Sequence, residues 1–321
     1  MQGTELYDAL VPALWGDVDE DKHFPVEQPL LAHYTSVANL VNIVKGAELW
    51  FSNPLNMNDY EEMRYGLSEG MRAGESHALL RATCEEHGYY AEFIESLSAC
   101  YRRFESEHAF DTYVVCFSKH DEAKDVDGRL SMWRGYGGNG SGAAIVVDTK
   151  RINANEQSPF IIAPVDYGTA EERRAWISER LDVLAAELKR QQVRKDGAPM
   201  AAAAFFERLK QFALFSKHRG FEEEKEWRVV HFRDRDSAGR LTAMFGYHIG
   251  ADGVHPKLKL KLAPIDGVTG DDFGLDNIVH QIILGPTHTG VSRLAALRML
   301  QLERPALASR LRASSTPFRP S

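Results

Sequence analysis

Apolar positions in this chain change their spacing several times, and each change marks an element. Leu30 to Tyr34 is a short apolar run that reads as a strand. From Ser36 onward Val37, Leu40, Val41 and Val44 recur at helical spacing, which predicts a helix capped by Ser36 and running to Gly46. Glu48 to Ser52 (E-L-W-F-S) reads as a second strand. The Asn-rich stretch from Asn53 to Asn58 reads as a loop, with Asp59 as the cap of the next helix. Residues 76–107 are helical by pattern, with Leu79, Leu80, Phe93, Ile94 and Leu97 on the apolar face. Tyr113 to Ser118 (Y-V-V-C-F-S) predicts a strand. Beyond it lie a charged loop from Lys119 to Asp127, a short helical segment from Ser131 to Tyr136, and a Gly-rich turn from Gly137 to Gly142. A buried strand at Ala143–Val147 follows.

Phe160 to Val165 predicts a further strand. Two helices come next, one carrying Ile177, Leu181, Leu184 and Leu188, the other Phe205, Leu209, Phe212 and Phe215. Asp196, Gly197 and Pro199 separate them. Glu226 to Phe232 (E-W-R-V-V-H-F) and the alternating Lys257 to Leu262 (K-L-K-L-K-L) read as strands. Ile278 to Leu284 is another, and a helix from Val291 to Leu302 follows. Strands cluster and helices come in blocks, which predicts an α+β fold rather than a doubly wound parallel sheet. The expected organisation is a loose acidic lead-in at 1–28, one α+β domain at 29–305 with a helical insertion near 168–220, and a flexible tail at 306–321.

Composition narrows the classes. At 321 residues, 44% hydrophobic and 26% charged, the chain is an ordinary folded protein able to bury a sizeable core. A formal net charge of −8 argues against nucleic-acid binding by the whole surface, although a local basic groove is compatible with it. No apolar run reaches bilayer length, and the N-terminus lacks the pattern of a signal peptide. Cys84, Cys100 and Cys116 fit neither zinc-ligand spacing nor a disulfide framework. The expectation is a soluble, cytoplasmic protein with no metal and no membrane partner.

Polar residues gather in three places against strands. These are His33-Tyr34-Thr35-Ser36, then Ser118 with Ser131, Trp133 and Tyr136, then the run Glu222 to Arg228. Each has a plain structural explanation. His33 fits an interior histidine, Ser36 a helix cap, and Trp133 with Tyr136 an i, i+3 packing pair. G-G-N-G-S-G lacks the following Lys-Ser/Thr of a phosphate loop and reads as a turn. The Glu222–Glu226 run fits a solvated face, with the carboxylate nearest the strand the best candidate for chemistry.

Taken in order, H-Y-T-S before a helix, L-W-F-S, N-D-Y-E-E, V-V-C-F-S with S-M-W-R-G-Y-G, E-K-E-W-R-V-V and I-I-L-G-P resemble the bacterial family catalogued as domain of unknown function 2971. The resemblance covers roughly residues 30–290. In layout the family's opening is also similar to ADP-ribosyltransferases of the histidine type. That second resemblance implies a mixed-sheet core of that kind and NAD as substrate, with ADP-ribosyl transfer or NAD hydrolysis as the activity. The acceptor is undefined, and the setting it implies is a toxin or anti-phage defence. It assigns catalytic roles to Glu226, His33 and Glu224, and NAD binding to His33, Tyr34, Thr35, Ser118, Trp133 and Tyr136. Tyr34 stands where many relatives of that type have Gly. A carboxylate would stabilise the cationic ribose formed as nicotinamide leaves, and a stacked aromatic would hold the departing ring. On this layout His33, Ser118, Tyr136 and Glu226 line one cleft, braced from the loop after Trp50 by Asn58 and Glu62. Two other readings fit the same residues. One is a non-catalytic nucleotide-binding sensor. The other is a metal-dependent nuclease using Glu223-x-Lys225 with Asp59 or Asp148.

Overall fold

A computed structural model describes residues 3–57, 60–153, 158–250 and 253–318. In chain order its elements begin with α1 (Gly3–Leu14), β1 (Leu30–Thr35), α2 (Val37–Gly46) and β2 (Glu48–Ser52). Then come α3 (Tyr60–Ser76), α4 (Ala78–Glu86), α5 (Tyr90–Ser106), β3 (Thr112–His120), α6 (Leu130–Gly135) and β4 (Ala143–Asp148). The middle holds β5 (Phe160–Pro164), β6 (Asp166–Gly168), α7 (Ala170–Arg190), α8 (Ala198–Phe215), β7 (Ser216–His218) and β8 (Glu226–Phe232). Last are β9 (Phe245–Gly250), β10 (Gly253–Lys261), α9 (Leu275–Ile278), β11 (Val279–Leu284), α10 (Gly290–Glu303), α11 (Pro305–Ala308) and β12 (Leu311–Ala313). The fold is α+β.

The chain divides into two compact units, each assembled from separated segments. One unit comprises residues 20–53, 112–164 and 222–321 and is built on a ten-stranded sheet. Its main path runs β12-β11-β4-β1-β3-β2-β10-β9, and β8 joins β3 and then β5. Every pairing in it is antiparallel except that of β11 with β12. One face carries the larger apolar cluster, which includes Leu31, Phe51, Phe117, Ile145, Trp227 and Leu260. Ala32, Tyr34, Ala144 and Val146 gather on the other face with Met132 and Trp133 of α6. Alternation along each strand is the cause, since neighbours in sequence point to opposite sides. Helix α2 begins where the Ser36 hydroxyl accepts the Asn39 N–H at 3.1 Å, and it ends on Ala47 in the left-handed region at φ 47°.

The other unit comprises residues 1–19, 54–111 and 165–221 and is mostly helical, with a two-stranded parallel sheet of β6 and β7. Its α7 opens on a full capping box made by Thr169 and Glu172. The Arg208 guanidinium bonds both carboxylate oxygens of Asp17, at 3.0 and 2.9 Å, and the Trp176 indole N–H reaches the same group at 2.7 Å. The segment at 168–220 is thus one of three that build this unit.

Several expectations need correction. Residues 3–14 form a helix with Leu6, Leu10 and Leu14 buried, where a loose lead-in was expected. The four-residue spacing of those leucines puts them on one helical face. The helical stretch at 76–107 is broken into α4 and α5, with Gly88 at φ 71° in the turn between them. Residues 305–313 form a short helix and a strand, where a flexible tail was expected from 306 onward. Leu307 is buried, and β12 adds to the sheet beside β11 with Ile282 opposite Leu311. Strand β9, a hairpin partner of β10, carries two glycines that hid it from the pattern.

Candidate functional site

The sheet's register decides which candidates can meet. Ser118 of β3 stands opposite Ala32 on one side and opposite Glu226 on the other. Directly opposed residues share a face, so Ala32, Ser118 and Glu226 point the same way. Tyr34 and Arg228, each two residues along, join them. His33 is one position off that series. It stands opposite Ile145 and packs its ring against Phe117, with centroids 5.6 Å apart, on the face of the larger cluster.

On that face lies a pocket of about 310 Å³, lined by Phe51, Val115, Phe117, Ile145, Val229 and Leu260 among other apolar side chains. The polar contributors are His33, His23, Asn153, Ser158, Thr269 and Arg235. Asn153 and Arg235 are exposed, which marks the open side. His33 is anchored from within. Ladder pairing of β1 with β3 stops at Ala32–Ser118, and beyond it the His33 Nδ1 lies 3.0 Å from the Cys116 carbonyl. A carbonyl only accepts, so Nδ1 carries the proton. In the neutral ring Nε2 is then a lone-pair acceptor. Burial pushes the imidazole below its ordinary pKa, and the bond to Cys116 offsets this only in part. His33 is half-buried and lines the pocket.

The opposite face carries a hydrogen-bonded polar cluster, although His120 Nδ1 and Ser131 Oγ are buried there without a partner among the described residues. The Tyr34 hydroxyl accepts the Arg129 backbone N–H at 2.7 Å, and its ring meets Trp133 edge-on at 4.9 Å. Burial pushes the Tyr34 phenol up to about 12. Trp133 is fully buried, and its indole N–H donates to the Asp127 carbonyl at 2.9 Å. The Ser118 hydroxyl donates to the Glu224 carbonyl at 2.6 Å, while the Tyr136 hydroxyl donates to the Glu224 carboxylate at 3.1 Å. Arg129 ties the cluster together through the Glu223 and Lys119 carbonyls, at 2.9 and 3.0 Å, and the Asp125 carboxylate at 2.7 Å. Glu226 and Arg228 form a buried ion pair, with guanidinium nitrogens at 2.7 and 3.2 Å from the two carboxylate oxygens.

Tyr34, Ser118, Trp133, Tyr136 and Glu224 therefore do come together. The expected cleft of His33, Ser118, Tyr136 and Glu226 does not form, because His33 faces away from the other three. Trp133, Tyr34 and Ser118 are buried, so none of them offers a surface on which a nicotinamide ring can stack. The Thr35 hydroxyl accepts from the Asn39 side chain at 3.0 Å and braces the start of α2. The Gly-rich segment is a tight turn. A Cβ at Gly142 would lie 2.3 Å from the Thr35 carbonyl oxygen, so the backbone's close approach requires glycine there.

The nuclease candidates are dispersed into local roles. Asp148 accepts the Lys150 backbone N–H and the Arg151 side chain, both at 3.1 Å, and Lys225 sits at φ 43° just before β8. Among the described residues no group of three His, Cys, Asp or Glu side chains is placed to hold a metal ion. Asn58, Asp59 and the side chain of Glu62 lie outside the described residues. Among the described residues no helix is long and apolar enough to cross a membrane.

The chain is similar to the DUF2971 family. The match runs over residues 132–229 and carries that family's description, a protein of unknown function. Within it fall most of S-M-W-R-G-Y-G and the start of β8, so the DUF2971 stretch includes Trp133, Tyr136, Glu224, Glu226 and Val229. No curated protein and no solved structure matches the chain. The pocket was missed by sequence reasoning. Its signal was the odd-numbered apolar series Val115, Phe117, Ile145 and Val147 around His33, which reads as plain core until a cavity is seen.

Proposed function

We propose that this protein binds a small, largely apolar molecule in the pocket beside His33. The pocket's size carries the reading. Close-packed interiors leave few voids larger than a water molecule, whereas about 310 Å³ falls at the lower end of the range for ligand sites. One neutral acceptor set in apolar walls supplies orientation. This reading keeps the non-catalytic part of the sensor alternative and replaces its nucleotide with an apolar ligand. Titration calorimetry with 1-octanol and with indole tests it. Both should bind the parent protein with a negative heat-capacity change. Val229→Phe, which puts a ring into the pocket, should abolish that heat while far-UV circular dichroism stays native. Absence of binding to the parent, or equal binding to Val229→Phe, rejects the pocket as a ligand site.

The contact of exposed Tyr136 with half-exposed Glu224 favours a second reading, in which NAD is cleaved on the polar face of an ADP-ribosyltransferase-like core. Glu224 then replaces the ion-paired Glu226 as the carboxylate that meets the ribose. Release of free nicotinamide by the parent, reduced about 10²–10³-fold in Glu224→Gln, supports this reading. No release from the parent sinks it.

A further inference from the structure

We infer that the molecule taken up beside His33 is a small carboxylic acid with an apolar body, its carboxylate held by Arg235 at the open side of the pocket. This rests on the pocket being a ligand site. The pocket's described lining is mostly apolar and contains no Asp or Glu, although the chain has 46 acidic residues. Arg235 is the permanently charged side chain among those lining residues. It is exposed and forms no ion pair among the described residues. The neighbouring Asp236 carboxylate is occupied within its own loop, accepting the Arg240 and Leu241 backbone N–H groups at 2.9 Å each. His23, at the same pocket, adds a second nitrogen-bearing side chain that can donate to an anion. Asn153 is already bonded to Asp272 at 2.9 Å, and the Thr269 hydroxyl accepts from the Ile265 N–H at 2.8 Å. The polar rim therefore leaves a cation available next to apolar walls, the arrangement that selects an apolar monoanion. An ammonium head would meet Arg235 with like charge, and a neutral head would forgo the charge-assisted hydrogen bond.

The test compares three probes of one chain length, octanoate, 1-octanol and octylammonium, by calorimetry at pH 7.5. Octanoate should bind the parent roughly ten- to hundredfold more tightly than 1-octanol, the fold-change expected from one charge-assisted contact. Octylammonium should be the weakest. Arg235→Gln should bring octanoate down to the affinity of 1-octanol while leaving 1-octanol unchanged, which also shows that the variant is folded. If 1-octanol or octylammonium binds the parent as well as octanoate does, the acid assignment is overturned and the pocket remains a ligand site. The same follows if Arg235→Gln keeps the preference for octanoate. If none of the three probes binds the parent, the pocket reading itself falls and takes this inference with it.

Discussion

On one face of the ten-stranded sheet, His33 looks into unfilled apolar volume; on the other, its neighbour Tyr34 is closed in by Trp133 and the Arg129 backbone. Many polar groups on the second face are matched inside the protein, among them the Glu226–Arg228 pair. Such a network fixes a unique arrangement, and losing one member is costly. The first face has spare volume, and its histidine keeps an acceptor nitrogen beyond its single anchor. The contrast is between a face where dense polar residues are largely tied to one another and a face where a histidine lines an open, mostly apolar volume.

Breaking the rigid face should have the largest effect. Arg228→Met leaves the Glu226 carboxylate buried beside an apolar side chain and should lower stability by about 3–5 kcal/mol in urea unfolding. Adding Glu226→Leu should recover much of that loss. An unfolding midpoint that does not move in the single variant would show that the pair is not structural. A gentler cut on the same face is Tyr34→Phe. It removes the acceptor for the Arg129 N–H and should cost about 0.5–1.5 kcal/mol, with 1-octanol binding unaffected. Loss of 1-octanol binding in Tyr34→Phe would erase the distinction between the faces.

The smallest effect sharpens the cavity side through pH. Burial holds the His33 imidazole below its ordinary value in the folded protein. The unfolded chain therefore takes up that proton first, near pH 6.5, and binds more protons than the folded form below it. The contribution of neutral His33 is present in full above about pH 6.5 and is lost as pH falls through the lower folded value. His33→Gln keeps a donor for the Cys116 carbonyl but does not titrate. Unfolding measured from pH 8 to pH 5 should decline less steeply in the variant than in the parent. Parallel profiles would mean that His33 titrates alike in both states.

Much of the fold was legible in the chain. Strands β2 and β8 begin and end where alternation and branched side chains place them, at Glu48–Ser52 and Glu226–Phe232. The three residues of β12 were not legible, because a strand that short is defined by its partner rather than by its own pattern. The sequence set His33, Tyr34, Thr35, Ser118, Trp133, Tyr136, Glu224 and Glu226 in one site; of these, Tyr34, Ser118, Trp133, Tyr136 and Glu224 are linked on the face away from His33. His33 was misplaced for a specific reason. Alternation within a strand gives the parity of each side chain, but only the pairing of Ala32 with Ser118 and of Ser118 with Glu226 relates one strand's parity to the next. That pairing is a long-range property of the sheet, and a shift of one residue would have put His33 on the same face as Glu226.

The helical unit's three-part composition also bears on how the protein is made. Helix α1 leaves the ribosome long before α8, and the contacts at its C-terminal end, Trp15 with Gln211 at 2.8 Å and Arg208 with the Leu14 carbonyl at 3.1 Å, must await residues almost two hundred positions later. At the usual pace of bacterial and eukaryotic translation that delay is roughly ten to forty seconds. Throughout it the leucine face of α1 has no α8 to cover it. Slow elongation or scarce chaperone capacity should therefore penalise the yield of this protein more than that of one whose helices meet their partners at once.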